Sequence, residues 1–398
     1  MKGEVAIIGV GQHPNGVYPD KMCIDLAIES IYEAIIDAGI SKDEIDGIIT
    51  QETFSDKWYN SDIAWSKFVE MLGLGSKCRI NLKLSSGGST SSSALHTAAG
   101  FILTGKANTI LVSHADKLGS GLGSVQDIID AFSSFGMSEE FEAPFGYTQA
   151  AVSALASCVY LNYTKQEANA LAGIVLSMRK WADKNPNALI HRVPELEEIL
   201  NSPMISSPFT RRMLNLTCDG AEAFIITSAK NAERITNKPV YVKGTSSIVT
   251  HYTLMNHPSN RTPSQMWNAW EMVANEAYEE AGIRPEDIDI AEFYDAYPIL
   301  PLLTLEACGF VEKGKAGEFV LEGNTWPGGK LPMTTNGGML AGGHTGTGGG
   351  LGVLIETVRQ LRGNAGERQV KGAKNCVVTE SGGQGMDAHV MILGGEKE

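Results

Sequence analysis

The chain has 398 residues, enough for two or three domain-sized units, and 43% of them are apolar, enough for a large buried core. Its formal charge is −14 with no long basic run, which argues against nucleic-acid binding, because phosphate recognition needs a clustered positive field. The six cysteines (Cys23, Cys78, Cys158, Cys218, Cys308 and Cys376) are dispersed with no CxxC pair, which indicates neither a zinc ribbon nor a disulfide framework and fits free thiols in a reducing, cytoplasmic setting.

The N-terminal segment MKGEVAIIGVG enters a strand pattern at once and lacks the apolar stretch of a signal peptide. No charge-free apolar run reaches 18 residues, so no membrane span is expected. An amphipathic helix is predicted over 24–37. The stretch Ala38-Gly39-Ile40-Ser41-Lys42-Asp43-Glu44-Ile45-Asp46 follows it, and then the apolar strand Gly47-Ile48-Ile49. Next come Lys83-Leu84-Ser85-Ser86-Gly87-Gly88-Ser89-Thr90, a helix of small residues over 91–103, Gly105, and the strand Thr109-Ile110-Leu111-Val112.

The region 115–230 is less regular. It holds Gly119 to Gly123, the aromatics Phe132, Phe135, Phe141 and Phe145, and helices predicted over 146–163 and 165–183. Those aromatics read either as core or as pocket lining. The whole reads as an insertion that covers the first half and shapes a pocket.

The first half then recurs. A helix over 266–280 leads into Ala281-Gly282-Ile283-Arg284-Pro285-Glu286-Asp287-Ile288-Asp289 and the strand Ile290-Ala291-Glu292-Phe293. A glycine-rich turn, a helix over 347–361, Gly363 and the strand Cys376-Val377-Val378 complete the match. Glycine in each AGI turn suits a left-handed helix C-cap. The alternation predicts parallel or mixed sheets covered by helices, in two pseudo-symmetric halves.

Four stretches are candidates for chemistry. The turn at Ser85–Gly88 opens a helix, where backbone amides favour anions. A nucleophilic serine there would need a base within reach, and the GxSxG elbow is absent. Small residues in this turn also suit close helix packing. Glu292-Phe293-Tyr294-Asp295-Ala296-Tyr297 lies at the carboxyl end of a strand, where open α/β sheets bind ligands. Asn336 to Gly350 holds eight glycines around His344, a catalytic candidate, and backbone packed against ligand would explain so many glycines. Thr379-Glu380-Ser381-Gly382-Gly383-Gln384-Gly385 is a second strand-to-glycine turn, pseudo-symmetric to His114-Ala115-Asp116-Lys117.

In these motifs the chain resembles the thiolase superfamily over nearly its whole length. Leu84-Ser85-Ser86-Gly87-Gly88 aligns with the C-x-S-G-G/L nucleophile turn of thiolases, and Gly342-Gly343-His344-Thr345-Gly346-Thr347-Gly348 with their G-H-P-x-G-x-[ST]-G signature. Asn185-Pro186-Asn187-Ala188 and Cys218-Asp219-Gly220-Ala221 are similar to N-P-x-A and S-D-G-A-A. Neither catalytic cysteine is kept: Leu84 and Thr379 stand at those positions, and Cys78, on the strand entering the turn, should not reach. The resemblance implies a thiolase fold, two α-β-α halves with a loop-domain insertion: 1–115 with 222–240, then 116–221, then 241–398.

The run Tyr294-Asp295-Ala296-Tyr297 is similar to the Y-D-A-[FY] motif of thiolase-like lipid-transfer aldolases of steroid side-chain degradation. So are Phe319-Val320-Leu321-Glu322-Gly323 and the run Leu331 to Gly338. The chain departs from that pattern where it keeps a thiolase-like His344 in place of a second tyrosine. This resemblance implies retro-aldol cleavage of a β-hydroxyacyl-CoA to a ketone or aldehyde and a shorter acyl-CoA, with no cysteine nucleophile. It implies no cofactor in this chain (coenzyme A is part of the substrate), a small zinc-ribbon/OB-fold partner that holds any zinc, and a homodimer paired through the strand 109–113.

In the expected mechanism His344 donates to the enolate oxygen, with backbone amides near Gly87. Tyr294 takes or relays the hydroxyl proton, assisted by Asp295 or a water. A tyrosine with its ordinary pKa near 10 is a poor base unless its neighbours lower it. Arg211, Arg212, Ser246 and Ser247, with Gly87 and Gly343, are the expected coenzyme A contacts. The alternatives are an acetyl-CoA acetyltransferase-type enzyme acting through Ser85 or Ser86, and a non-catalytic acyl-CoA or lipid-binding subunit.

Overall fold

The computed structural model describes residues 1–134, 140–236, 238–249, 263–382 and 385–397. The strands are β1 (Val5–Gly16), β2 (Gly47–Gln51), β3 (Ile80–Leu84), β4 (Thr109–Lys117), β5 (Met204–Ser206), β6 (Phe209–Thr210), β7 (Asp219–Ser228), β8 (Val240–Val249), β9 (Ile290–Phe293), β10 (Asn375–Glu380) and β11 (Asp387–Gly394). Strands β5 and β6 form a separate ribbon. The other nine make one sheet in the order β3-β2-β4-β7-β1-β8-β11-β10-β9.

The internal repeat is written in that order. Read inward from each edge, β2-β4-β7-β1 meets β9-β10-β11-β8, and the halves join where β1 pairs antiparallel with β8, Ala6 opposite Tyr241 and Ile7 opposite Val240. In each half a parallel pair (β2 with β4, β9 with β10) is followed by an antiparallel neighbour. The first half adds β3 outside β2. The second has only an isolated bridge between Ala291 and Met333 at that place.

The helices fall where the periodicity put them: Cys23–Ala38, Thr90–Leu103, Asn268–Ala281 and Gly349–Arg362. Gly39 and Gly282 cap the first and third in the left-handed conformation, φ 67° and 69°, as the AGI turns predicted. A repeat beneath the sequence signal lies in β1 and β8. A β-carbon on Gly9 would overlap the carbonyl oxygen of Ala34, and one on Gly244 that of Ala277. Each half thus lets its outer helix settle on the backbone of its own strand.

Between the halves, helices Thr90–Leu103 and Gly349–Arg362 pack into one core through Ala94, Ala98 and Ala99 against Leu351, Leu354 and Ile355. Close approach of helices needs small side chains, which is why both glycine turns open into small residues and face each other. The stretch between β4 and β7 is mostly helical, with Gln149–Thr164 and Ala168–Ala182 near the predicted spans. Phe141 and Phe145 are 75% and 84% exposed, so they are neither core nor lining. Phe135 and the Phe132 side chain lie outside the described residues.

Strand β4 is hydrogen-bonded to β2 on one side and β7 on the other. The strand 109–113 therefore has no open edge for a second copy of the chain, a correction that periodicity could not supply. The open edge of the first half is β3. Among the described residues no helix is long and apolar enough to cross a membrane.

Candidate active site

The carboxyl ends of the strands and the turns after them enclose a cavity of about 710 Å³, within the usual range for small-molecule sites. Gly87 and Gly88 line it from the first glycine turn, Tyr294 and Tyr297 from the end of β9, His344 from the glycine-rich loop, and Ser381, Gly382 and Asp387 from the β10–β11 turn. Residues from the β4–β7 stretch, including Ile129, Ile205 and Leu214, close the apolar side. Tyr294 and His344, 50 positions apart in the chain, line the same cavity.

Tyr294 is 7% exposed. Its hydroxyl rests against Gly88, where a β-carbon would overlap it and would also sit 2.5 Å from the Ser381 carbonyl oxygen. Burial, then the nearby carboxyls of Glu380, Asp295 and Asp387, push its pKa above the ordinary value. A base needs the opposite shift, so the hydroxyl keeps its proton and is available to donate.

His344 is buried, and its Nδ1 accepts the Gly346 amide at 3.0 Å. That bond assigns the ring proton to Nε2. Burial, reinforced by the nearby His114, pushes the imidazole down to about 4, so it is a neutral donor at physiological pH. Gly346 reaches Nδ1 from a left-handed turn, φ 73°, that favours glycine. The other glycines of this loop answer to protein rather than to ligand. A β-carbon on Gly348 would overlap the His114 ring, and one on Gly350 would lie 2.6 Å from the Gly88 carbonyl oxygen. His114 in turn donates from Nε2 to the Thr345 carbonyl at 2.7 Å.

Asp295 does not line the cavity. Its carboxylate turns inward and accepts the amides of Met339 and Leu340 at 2.7 and 3.2 Å, so it anchors the turn that leads to His344. Burial raises it to about 7. Gly343 faces a separate polar hollow of about 20 Å³ beside Asn15 and Glu222, room for one water. Arg211 and Arg212 lie outside the cavity lining, on the short turn just before Leu214. Ser247 is exposed and Ser246 Oγ donates to Glu276 at 2.5 Å; both sit on β8 shortly before the lining residue Val249.

Among the described residues no cysteine lines the cavity. Leu84 packs against the central core, and Cys78 Sγ donates to the Ile80 carbonyl at 3.1 Å. Cys218 is buried, its thiol pushed up by burial and by Glu222. Ser85 is exposed, whereas Ser86 lines the cavity with Oγ donating to Ser93 Oγ at 2.9 Å. A hydroxyl partner is no base, so Ser86 lacks the activation a nucleophile requires.

Behind the glycine turns lies a polar cluster that joins Glu380, from a candidate stretch, to Asp387 and His389, which motif reading missed. Glu380, at the end of β10, accepts Ser91 Oγ at 2.6 Å and the Ser92 amide at 2.9 Å. Burial raises it to about 7. Asp387 accepts Ser89 Oγ at 2.6 Å and the Gly382 amide, and His389 Nδ1 pairs with Ser92 Oγ at 3.0 Å. The available signal was period two: Asp387 and His389 alternate along β11 and so share a sheet face.

Known proteins share this fold. The family model described as "Thiolase C-terminal domain-like" matches residues 251–395. The chain is 28% identical to a 17-hydroxy-3-oxo-4-pregnene-20-carboxyl-CoA lyase of Mycobacterium tuberculosis, covering 99% of this chain and 100% of that protein. It is 29% identical to an acetyl-CoA acetyltransferase of Methanothermobacter thermautotrophicus, over 98% and 99%. The solved structure titled "Ltp2-ChsH2(DUF35) aldolase" superposes with a TM-score of 0.85 at 25% identity, covering 98% of each chain. With its motifs, repeated sheet order and paired glycine turns, the chain has the thiolase fold, carries a thiolase C-terminal domain-like region over 251–395, and is similar over nearly its whole length to a CoA-ester lyase and a solved aldolase.

Proposed function

We propose that the protein is an acyl-CoA carbon–carbon lyase that cleaves a β-hydroxyacyl-CoA by retro-aldol reaction into a ketone or aldehyde and a shorter acyl-CoA. The observation that carries this reading is a single cavity lined by both Tyr294 and His344 and, among the described residues, by no cysteine. Retro-aldol cleavage needs no covalent capture. It needs a base for the hydroxyl, donors for the enolate oxygen and an acid for the enolate carbon.

The neutral His344 suits the second task, since an Nε2–H donor fixed by the Gly346 amide needs no reorganisation as charge develops on the thioester oxygen. Amides of the turn at Gly87 are the candidate second donor. The protonated Tyr294 suits the third task. Similarity to a protein named as a CoA-ester lyase and to a solved aldolase supports the same reaction class. The similarity to an acetyl-CoA acetyltransferase favours acyl transfer as a second reading, but that reading requires an activated nucleophile lining the cavity, and among the described residues the Ser86 Oγ donates to the Ser93 hydroxyl rather than to a base.

In this reading Arg211, Arg212, Ser246 and Ser247 lie along the path of the pantetheine arm and phosphates, each just before a lining residue, Leu214 or Val249. A homodimer formed by strand addition uses the β3 edge. A zinc-ribbon/OB-fold partner is proposed from the two-name title of the solved aldolase, and a cytoplasmic location from the free cysteines. The test is incubation with a panel of β-hydroxyacyl-CoAs, alone and with such a partner, and analysis of products. Release of a carbonyl compound and a shortened acyl-CoA is expected. An acyl-enzyme adduct by mass spectrometry would overturn the reading in favour of acyl transfer.

A further inference from the structure

The retro-aldol reading leaves one task unfilled, removal of the β-hydroxyl proton. The cavity narrows the choice by chemistry. Among the described lining residues the titratable side chains are Tyr294, Tyr297, His344 and Asp387. Tyr294 and Tyr297 are both held protonated by burial. His344 has its Nδ1 lone pair committed to the Gly346 amide and its proton on Nε2. Asp387 is the one carboxylate of the described wall.

Its setting is that of an oriented acceptor. Asp387 is 5% exposed and lies at the start of β11, where Oδ2 accepts Ser89 Oγ at 2.6 Å and Oδ1 accepts the Gly382 amide. His389 Nε2 stands 3.4 Å behind Oδ2, and the other ring nitrogen is fixed by Ser92 Oγ. Each contact is one the carboxylate accepts, which aims it without using it as a donor. The turn that holds Asp387 through Ser89 also holds the Tyr294 hydroxyl against Gly88, the preceding residue. Base and acid would flank one turn.

We propose that Asp387 is the general base of this site, a proposal that rests on the retro-aldol reading. The β-hydroxyl proton passes to the Asp387 carboxylate, and the O–H electron pair becomes the π bond of the departing ketone or aldehyde. The Cα–Cβ pair becomes the thioester enolate, whose oxygen meets His344 Nε2–H. The enolate carbon takes the Tyr294 proton, and Asp387 returns the hydroxyl proton to the tyrosinate. One proton has moved from oxygen to carbon, and no oxidant or reductant enters. His389 is a positioning residue in this scheme.

The test compares Asp387→Asn, Asp387→Ala and Asp387→Glu with the wild type, reading cleavage of a β-hydroxyacyl-CoA and affinity for the shortened acyl-CoA. Asn and Ala are expected to cut cleavage at least ~10²-fold while acyl-CoA affinity stays within about threefold. Added formate or acetate is expected to restore part of the Ala variant's rate in proportion to its concentration, which no purely structural role would produce, and Glu is expected to keep more activity than Asn. Cleavage by Asp387→Asn within about threefold of wild type overturns the assignment, as does loss in every variant with no recovery from Glu or from added carboxylate. A wild type that binds acyl-CoA but cleaves no β-hydroxyacyl-CoA sinks the retro-aldol reading itself, a result distinct from failure of Asp387 alone.

Discussion

The Tyr294 hydroxyl rests on Gly88, and no side chain larger than hydrogen fits between them. One residue directly follows β9 in the second half, and the other belongs to the first-half turn that resembles the nucleophile turn of thiolases. The turn that resembles the thiolase nucleophile turn thus seats a buried phenol. The same contact makes Gly88 intolerant of substitution for a reason local sequence does not reveal.

Loss of that phenol should be visible in chemistry and not in binding. Tyr294→Phe removes the acid and keeps the ring. C–C cleavage is expected to fall by at least ~10²-fold, with acyl-CoA affinity by calorimetry nearly unchanged. Unchanged turnover would remove Tyr294 from the reaction.

A serine nucleophile should leave a trace, and none is expected. Mass spectrometry of the protein mixed with acyl-CoA should show no added acyl mass. Ser86→Ala should keep cleavage within about threefold, because its Oγ bonds to Ser93 and has no activating base.

Asp295 carries its weight in stability. Asp295→Ala leaves the Met339 and Leu340 amides without their carboxylate. Chemical denaturation should report a loss of ~1–3 kcal/mol for unsatisfied buried donors. Turnover should fall as well, since that turn leads into His344.

Glu222 is buried and raised to about 8 from an ordinary 4.5, with burial the main cause and the Thr345 hydroxyl opposing it. Between those values the folded chain holds a proton that the unfolded chain has released. Linkage then makes this group's contribution to stability fall as pH rises through the window. Glu222→Gln removes the titration. Its melting temperature relative to wild type should climb from about pH 4.5 to about pH 8 and level off above. A constant difference across melts at pH 5, 7 and 9 would show that the carboxyl does not titrate in that window.

Much of the architecture was legible because it rests on short-range physics. Helix periods, the left-handed caps at Gly39 and Gly282, and the recurring AGI turns are decided by residues a few positions apart, and the repeat carried the two-half reading. The absence of cysteine at Leu84 and Thr379 was equally plain. Only the tertiary structure decided which way side chains turn. Asp295 and Tyr294 are neighbours in sequence, yet one faces inward to backbone amides and the other reaches the cavity. Strand 109–113 reads like an edge or an interior strand until its two partners are known. The Ser89–Asp387 bond spans 298 positions, and no local pattern encodes a contact of that range. Sequence set the elements and the missing thiols; packing of one half against the other set which oxygen, nitrogen and phenol meet in the cavity.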